Sequence, residues 1–448
     1  MRRIKRYGLV LALCVLAPGV PFSQETGRSD EPSESQGTTS EQNGEESAGG
    51  TPSGSGFSPG IGFSFGVSTF EDPDTGEVET YQLLGLQPDI SFGNWGVGLN
   101  LPLNYRFTGG DGNEFEVREE DWVPDDDTNF LELYLPKISY FRYGRDGDDL
   151  YVQVQGLKNA TLGSGFIIGG YSNELYLPNR RIIGAIAKVD GQVAGFPYVG
   201  VEMLSANLAA WDLFGGRVYV RPLVSTGIPI VSSLQIGTSA VVDRDPFYHV
   251  KKDPLSPYSD DYDGVSIDPP DEQVTVWGVD LQQPIFGGDV AALTLLGDVA
   301  FQETRRGAMA GFNGHIFRFL LFGGQVRVTD DNFVPRYFDR TYDVRREERF
   351  AVYDEQIDVP GGLGWFGRIG FSLLGGGLVF DTNINGSFEP EPGSYPELKS
   401  SLVLNEGIVP GFPGVSFEAF YDKFDLRTFE ELIDPENAVI GARFNVRS

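Results

Sequence analysis

The chain predicts an all-β protein, a transmembrane antiparallel β-barrel of about 16–18 strands, with short periplasmic turns and long extracellular loops. Three observations lead there. Apolar and polar residues alternate with period two along nearly the whole chain, the mark of half-buried strands. The polar faces carry Asn, Gln, Arg and Asp of mixed sign, which suits a watery interior. The alternating segments run near ten residues, the length of a tilted membrane strand.

The first element is an export signal over 1–23. Arg2, Arg3, Lys5 and Arg6 form a basic start, Leu9 to Leu16 an apolar run, and Pro18 and Gly19 break it. The expected destination is the outer membrane of a diderm bacterium. Residues 24–56 follow as a Ser/Gly/Glu-rich tether without an aromatic residue, too polar to bury a core. From Phe57 aromatics, Gly and β-branched residues persist to the end, so 57–448 reads as one barrel domain.

Within it, Val97, Leu99, Leu101, Leu103, Tyr105 and Phe107 fall on one strand face and Gly98, Asn100, Pro102, Asn104 and Arg106 on the other. Trp277, Val279 and Leu281 oppose Val276, Gly278, Asp280 and Gln282; Phe380, Thr382 and Ile384 oppose Asp381, Asn383 and Asn385. Connections alternate in length. Gly93–Gly96, Gly144–Asp148, Asp190–Phe196, Phe286–Gly288 and Gly375–Gly377 are short, and alternation places them in the periplasm. Thr108–Thr128, Leu157–Pro178, Asp243–Glu272 and Thr329–Gly364 are long and fall on the opposite side. The last strand carries Gly441, Phe444 and Val446 in the pattern of a terminal signal for barrel assembly machinery, although the chain ends in Arg447-Ser448.

Composition excludes several functions. With 34 Lys+Arg against 64 Asp+Glu the net charge is −30, which disfavours nucleic acid as a partner. One Cys, Cys14, and two His leave no catalytic, cofactor or metal motif. His249 and His315 lie outside any nucleophile motif, so no enzyme activity is expected. Acidic loops at Asp125–Asp127 and Ser259–Gly264 read as solvated surface; Asp261, Asp263 and Gly264 have calcium-loop spacing, but Pro270 stands where the bidentate acid belongs.

The residues singled out for function are the basic run Arg336, Arg340, Arg345, Arg346 and Arg349 in the longest connection. It reads either as a salt-bridged surface loop or as a pore lining, with Asp381 and Glu418 opposing it across the lumen. Leu157–Pro178 also has two readings. Its Phe166-Ile167-Ile168 is too apolar for a free loop, so it either tucks into the barrel or extends a strand through a bulge at Gly165–Gly170.

Lys137-Ile138-Ser139-Tyr140-Phe141-Arg142-Tyr143-Gly144, Leu162-Gly163-Ser164-Gly165 and Tyr171-Ser172-Asn173 resemble a family of uncharacterised bacterial outer-membrane β-barrels. Asn332-Phe333-Val334-Pro335, Tyr337-Phe338 and Tyr342 resemble it too. The resemblance implies a porin-like outer-membrane barrel without a known substrate. Residues and resemblance together lead to the expectation of a channel for small hydrophilic solutes, partnered by outer-membrane lipid. The alternatives are a closed structural or adhesive surface barrel and an exported soluble β-protein.

Overall fold

The structure, a computed structural model, describes residues 57–71, 78–108, 114–124, 129–177, 180–253, 256–259, 267–288, 290–412 and 414–446. The export signal, the tether, Asp125–Asp127 and most of the Ser259–Gly264 motif lie outside the described residues.

The chain runs through β1 (Phe57–Glu71), β2 (Val78–Phe92), β3 (Trp95–Leu99), β4 (Leu101–Thr108), β5 (Glu114–Val117), α1 (Phe130–Tyr134), β6 (Ile138–Tyr143) and β7 (Leu150–Gln155). Next come β8 (Ala160–Thr161), β9 (Gly169–Tyr171), β10 (Gly184–Asp190), β11 (Val199–Ser205), β12 (Leu213–Val220), β13 (Gln235–Asp243) and α2 (Tyr248–Lys251). The long strands follow: β14 (Val274–Phe286), β15 (Ala291–Gln302), β16 (Arg305–Ile316) and β17 (Leu320–Thr329). After α3 (Arg346–Tyr353) the chain ends in β18 (Gly362–Leu373), β19 (Leu378–Ser387), β20 (Glu397–Leu404), β21 (Val415–Lys423) and β22 (Ala438–Val446).

Twenty of these strands form one sheet, and every ladder in it is antiparallel. β2 pairs with β3 at one end and β4 at the other, so those two share a lane interrupted at Asn100. β5 and β6 share the next lane, beside β4 and β3. Counted by lane the sheet has eighteen, in simple meander order. Among the described residues no ladder joins β1 to β22.

The faces are those of a barrel in lipid. Along β14, Trp277, Val279 and Leu281 point out and are 43–46% exposed, while Val276, Gly278 and Asp280 are buried. β15 repeats this with Leu295 and Val299 outside and Leu296, Asp298 and Ala300 inside. β1 exposes Ile61, Phe63, Phe65 and Val67, and β22 exposes Ile440 and Phe444. An exposed apolar belt on strands whose inward positions include buried charges such as Asp280 and Asp298 matches a membrane barrel.

Connection lengths also alternate. Residues 156–183, 244–273 and 330–361 are the long connections, and lane counting puts all three at one end. The fourth expected long loop, Thr108–Thr128, is instead split. β5 pairs directly with β4, and the described residues 118–124 and 129–137 lie between β5 and β6 in the chain, outside that lane. Asn104 holds this excursion through Asp121, at 2.8 Å. Two connections at the short end depart the other way: 221–234 and 405–414 are too long for tight turns.

Candidate functional site

The long connections do not stand away from the barrel. They fold against its inner face, and this starts from local sequence. In 156–183, Gly163, Gly165 and Gly170 take positive φ, so the chain can double back within a few residues. A side chain on Gly163 would collide with Arg217, which fixes how closely the loop tip approaches the wall. Asn173 closes the base of the loop: it accepts from the Leu157 amide at 2.7 Å and donates to the Ala206 carbonyl at 2.6 Å. Of the two readings of this segment, the observed one is the inward fold. Its short strand β9 pairs with β8, not with the wall.

Connection 330–361 lies alongside. Ile168 and Phe338 form a parallel bridge, and the Arg336 amide donates to the Phe166 carbonyl at 2.7 Å. Phe166, Ile167, Ile168, Tyr171, Phe333, Tyr337, Phe338, Tyr342 and Phe350 are almost fully buried together. They pack on inward Leu213, Val241, Val274, Val276 and Ala300 of the wall. The molecule therefore keeps an apolar core inside a sheet whose other face is also apolar. Folding the loops in is driven by burying these large side chains, each worth roughly 1.5–3 kcal/mol.

Polar contacts fix the loops to nearly the whole circumference. Ser164 bonds Asp298 on β15, and the Gly163 amide reaches Glu202 on β11 at 3.4 Å. Gln302 on β15 brackets Val334, donating to its carbonyl and accepting from its amide. Lys158 reaches Glu418 on β21 at 2.8 Å, Arg443 on β22 reaches Glu174 at 2.9 Å, and Arg181 donates to the Ser139 carbonyl on β6 at 3.3 Å. One pair of loops touches β6, β11, β15, β21 and β22, so the sheet wraps around them.

The five arginines of the basic run divide into two kinds. Arg340 pairs with Asp422 on β21 and donates to the Ser400 carbonyl. Arg345 pairs with Glu348 and lies over Phe424 at 3.9 Å. Arg346, 3% exposed, faces Asp212 at 2.7 Å, Asp243 at 3.4 Å and Asp343 at 3.5 Å. Arg349 binds Asp339 at 3.0 Å, and Lys399 of β20 binds the same carboxylate. These four are clamps whose charge is answered locally. Arg336 differs. Its guanidinium donates only to neutral acceptors, Asn383 at 3.0 Å and the Gly169 carbonyl at 2.6 Å. It sits 4.9 Å from the Phe366 ring, and Arg327 of β17 sits 4.7 Å from the same ring. Arg327 also bonds only amide oxygens, of Gln325 and Asn385. Among the described residues neither has a carboxylate within ion-pair distance.

Asp381 and Glu418, expected to oppose the run, are inward and half-buried. Asp381 is taken by Arg368 at 2.6 Å, and Glu418 by Lys158 and Arg443. The structure brings Asp381 and Arg336 to one region, since Asn383, two residues on and on the same face, bonds Arg336. It does not gather all seven residues around one opening. At the C-terminus, Phe444 points outward, and Gly441 leaves room that the Phe420 ring fills.

The loop carboxylates are strongly biased. Burial pushes Asp339 up, but Lys399 and Arg349 outweigh it and hold the acid well below the usual range. Asp343 is also held down: burial is opposed by His249 and Arg346. Burial lowers His249, with Asp343 pulling the other way. His249 touches Arg180 and stacks near Tyr176 at 4.7 Å, so it joins three outer connections. His315 is at the opposite end, bonded to the Gly288 carbonyl.

Several of these partners escape a sequence reading. Arg217 binds Asp280 and Glu202 across three strands, Arg305 caps the end of α3 through the Val352 and Tyr353 carbonyls, and Lys399 holds Asp339. The available signal was a charge at an inward position of an alternating strand, as at Asp280. The partner on a distant loop has no such signal.

No family model and no curated protein matches the chain. Solved structures do show a likeness. OprD from Pseudomonas aeruginosa is 8% identical, with 87% of this chain and 91% of that one covered and a TM-score of 0.31. OccK8 (OprE) from Pseudomonas aeruginosa is 11% identical over 87% and 96%, with a TM-score of 0.34. OccAB4 from Acinetobacter baumannii is 10% identical over 87% and 95%, with a TM-score of 0.33. These are likenesses only, and nothing about the role of this chain rests on them.

Proposed function

We propose that the protein is an outer-membrane channel for small hydrophilic solutes, with no chemical step. The observation that carries this reading is the inverted surface: an apolar belt outside and an inner wall dense in paired charges. A barrel of 16–18 strands encloses an aqueous space unless something fills it. The inward loops pack most tightly on β12 to β17, where Arg217, Asp280, Gln302, Arg305 and Arg327 are buried. On the remaining strands Arg368, Asp381, Glu418, Arg443 and Arg106 stay half-exposed. The solute path runs along that second wall.

Of the basic run, Arg336 sets selectivity, together with Arg327. Their charge is not answered by a carboxylate, so their field reaches the path, over about 8 Å at physiological salt. Arg340, Arg345, Arg346 and Arg349 act through the shape of the loop. Planar bilayer recording tests this. The wild type should conduct with a preference for anions, and Arg327→Gln with Arg336→Gln should move the reversal potential toward cations, more so at low salt. An unchanged reversal potential would remove these residues from the path.

The filled outer end favours a second reading, a closed surface barrel whose loops are the working part. Absence of any conductance from correctly folded protein would select it.

A further inference from the structure

We propose that connection 221–234 is a membrane-inserted flap, which lies on the outer wall at the periplasmic end and seats Ile228, Pro229 and Ile230 among phospholipid acyl chains. Lane counting puts it at the short-turn end, where it is longer than the other connections between the described strands.

Its composition is the first argument. From Pro222 to Leu234 there is no charged residue, in a chain of net charge −30. Ile228 and Ile230 are 55% and 50% exposed. Backbone groups in hydrocarbon must be satisfied internally, and here two short turns answer several of them. The Ser232 amide donates to the Ile228 carbonyl at 2.8 Å, and the Thr226 amide to Leu223 at 3.1 Å. The hydroxyls are also turned back on the chain. Thr226 bonds the Leu223 carbonyl, Ser232 the Pro229 carbonyl and Ser233 the Ile230 carbonyl.

The second argument is where the flap lies. On β14 the outward positions are Trp277, Val279 and Leu281, so alternation points Gln283 outward too. Gln283 is the one amide in that outward series. Its nitrogen donates to the Ile230 carbonyl at 2.6 Å and approaches the Ser233 hydroxyl at 3.3 Å. The flap thus covers a polar group that would otherwise meet lipid. The charges at its base stay out of the flap, since Arg221 pairs with Asp190 and donates to the Pro197 carbonyl.

The third argument is continuity. Val218, Val220, Ile236, Leu281 and Phe286, on the same strand ends, are exposed and belong to the lipid-facing belt. Phe196 and Tyr198 on the neighbouring connection are exposed as well, as interfacial aromatics are. The occupant that this surface continues toward is lipid.

The test uses full-length protein carrying Cys14→Ser, with an environment-sensitive fluorophore on Ile230→Cys. Val279→Cys in the belt and Glu303→Cys in a hairpin at the far end serve as references. Folding is checked by the mobility shift of unheated sample. In phospholipid vesicles with brominated acyl chains, the probe at 230 should be quenched to nearly the level of the probe at 279, and the probe at 303 should not. A second label at Ser225→Cys guards against a local effect of the Ile230 change and should also be quenched. Emission at both flap positions like that at 303 would overturn the proposal. So would shielding that appears only when a soluble periplasmic extract is added, since the flap would then be a protein-docking surface. Ile228→Ser with Ile230→Ser should leave conductance unchanged, which keeps this outcome separate from the channel reading.

Discussion

At the residue scale the inner network depends on a few charges that have no water to fall back on. Arg346 is the clearest, with three carboxylates around one guanidinium. Arg346→Gln leaves Asp212 and Asp243 buried without a cation, a loss of about 3–5 kcal/mol. The outer strands should hold, and protease should cut within 330–361 at a concentration the wild type survives. pH should act on the same loops. His249 has its folded pKa below its ordinary value, so the folded form resists the proton. Loop stability is then full above about pH 6.5 and declines as pH falls toward the folded pKa. Asp339 and Asp343 are shifted down as acids, so their contribution is present above the ordinary carboxylate range and is lost only in stronger acid. Hydrogen exchange of 244–253 and 342–353 against pH should show an upper step that lies below the ordinary histidine value and that His249→Gln removes, and a lower step that it leaves. The sequence marks the basic run as unusual, but it does not show which of its members are answered. Arg336 and Arg340 look alike in sequence; only the fold puts Asp422 beside one and Asn383 beside the other.

At the element scale, period-two alternation carries strand faces with little ambiguity, because a one-residue slip would turn every outward Leu inward. Val279 is outward near the middle of β14, and Val403 is inward on β20, opposite Glu418. Val279→Arg should cost about 2–4 kcal/mol. Val403→Arg should cost much less, since the lumen is polar and Glu418 is adjacent. Urea unfolding in vesicles separates the two, and equal losses would contradict the facing. Connections were less legible than strands. The turns Gly93-Asn94 and Gly375–Gly377 carry their own signal in positive φ at Gly93, Gly375 and Gly376. The split of 108–128 does not. Nothing in Glu114–Val117 distinguishes a returning strand from a loop until β4 is placed next to it.

At the scale of the whole molecule the question is how much of the barrel the inward loops occupy, and this can be answered by removing one of them. Thr329 and Gly362 are direct partners in the β17–β18 ladder, so 330–361 leaves and returns at the same point. Those residues can be replaced by Asn-Gly, which favours the two-residue hairpin turn that right-twisted strands accept. The eighteen-lane meander contains no pairing that needs the deleted segment. The cost falls on the interior, where Lys399, Asp422, Asp212 and Asp243 lose their partners and become accessible to water rather than staying buried. Water in the vacated space moderates that cost, which is why the deletion should be tolerated better than Arg346→Gln predicts. The variant should still show the heat-dependent mobility shift of a folded barrel. Its single-channel conductance should exceed the wild type severalfold, with selectivity moved toward cations because Arg336 leaves and the acids remain. A wild type that is silent beside a conducting variant would mean that 330–361 closes the barrel. Equal conductance from both would place the path wholly along β18 to β22, clear of the loop.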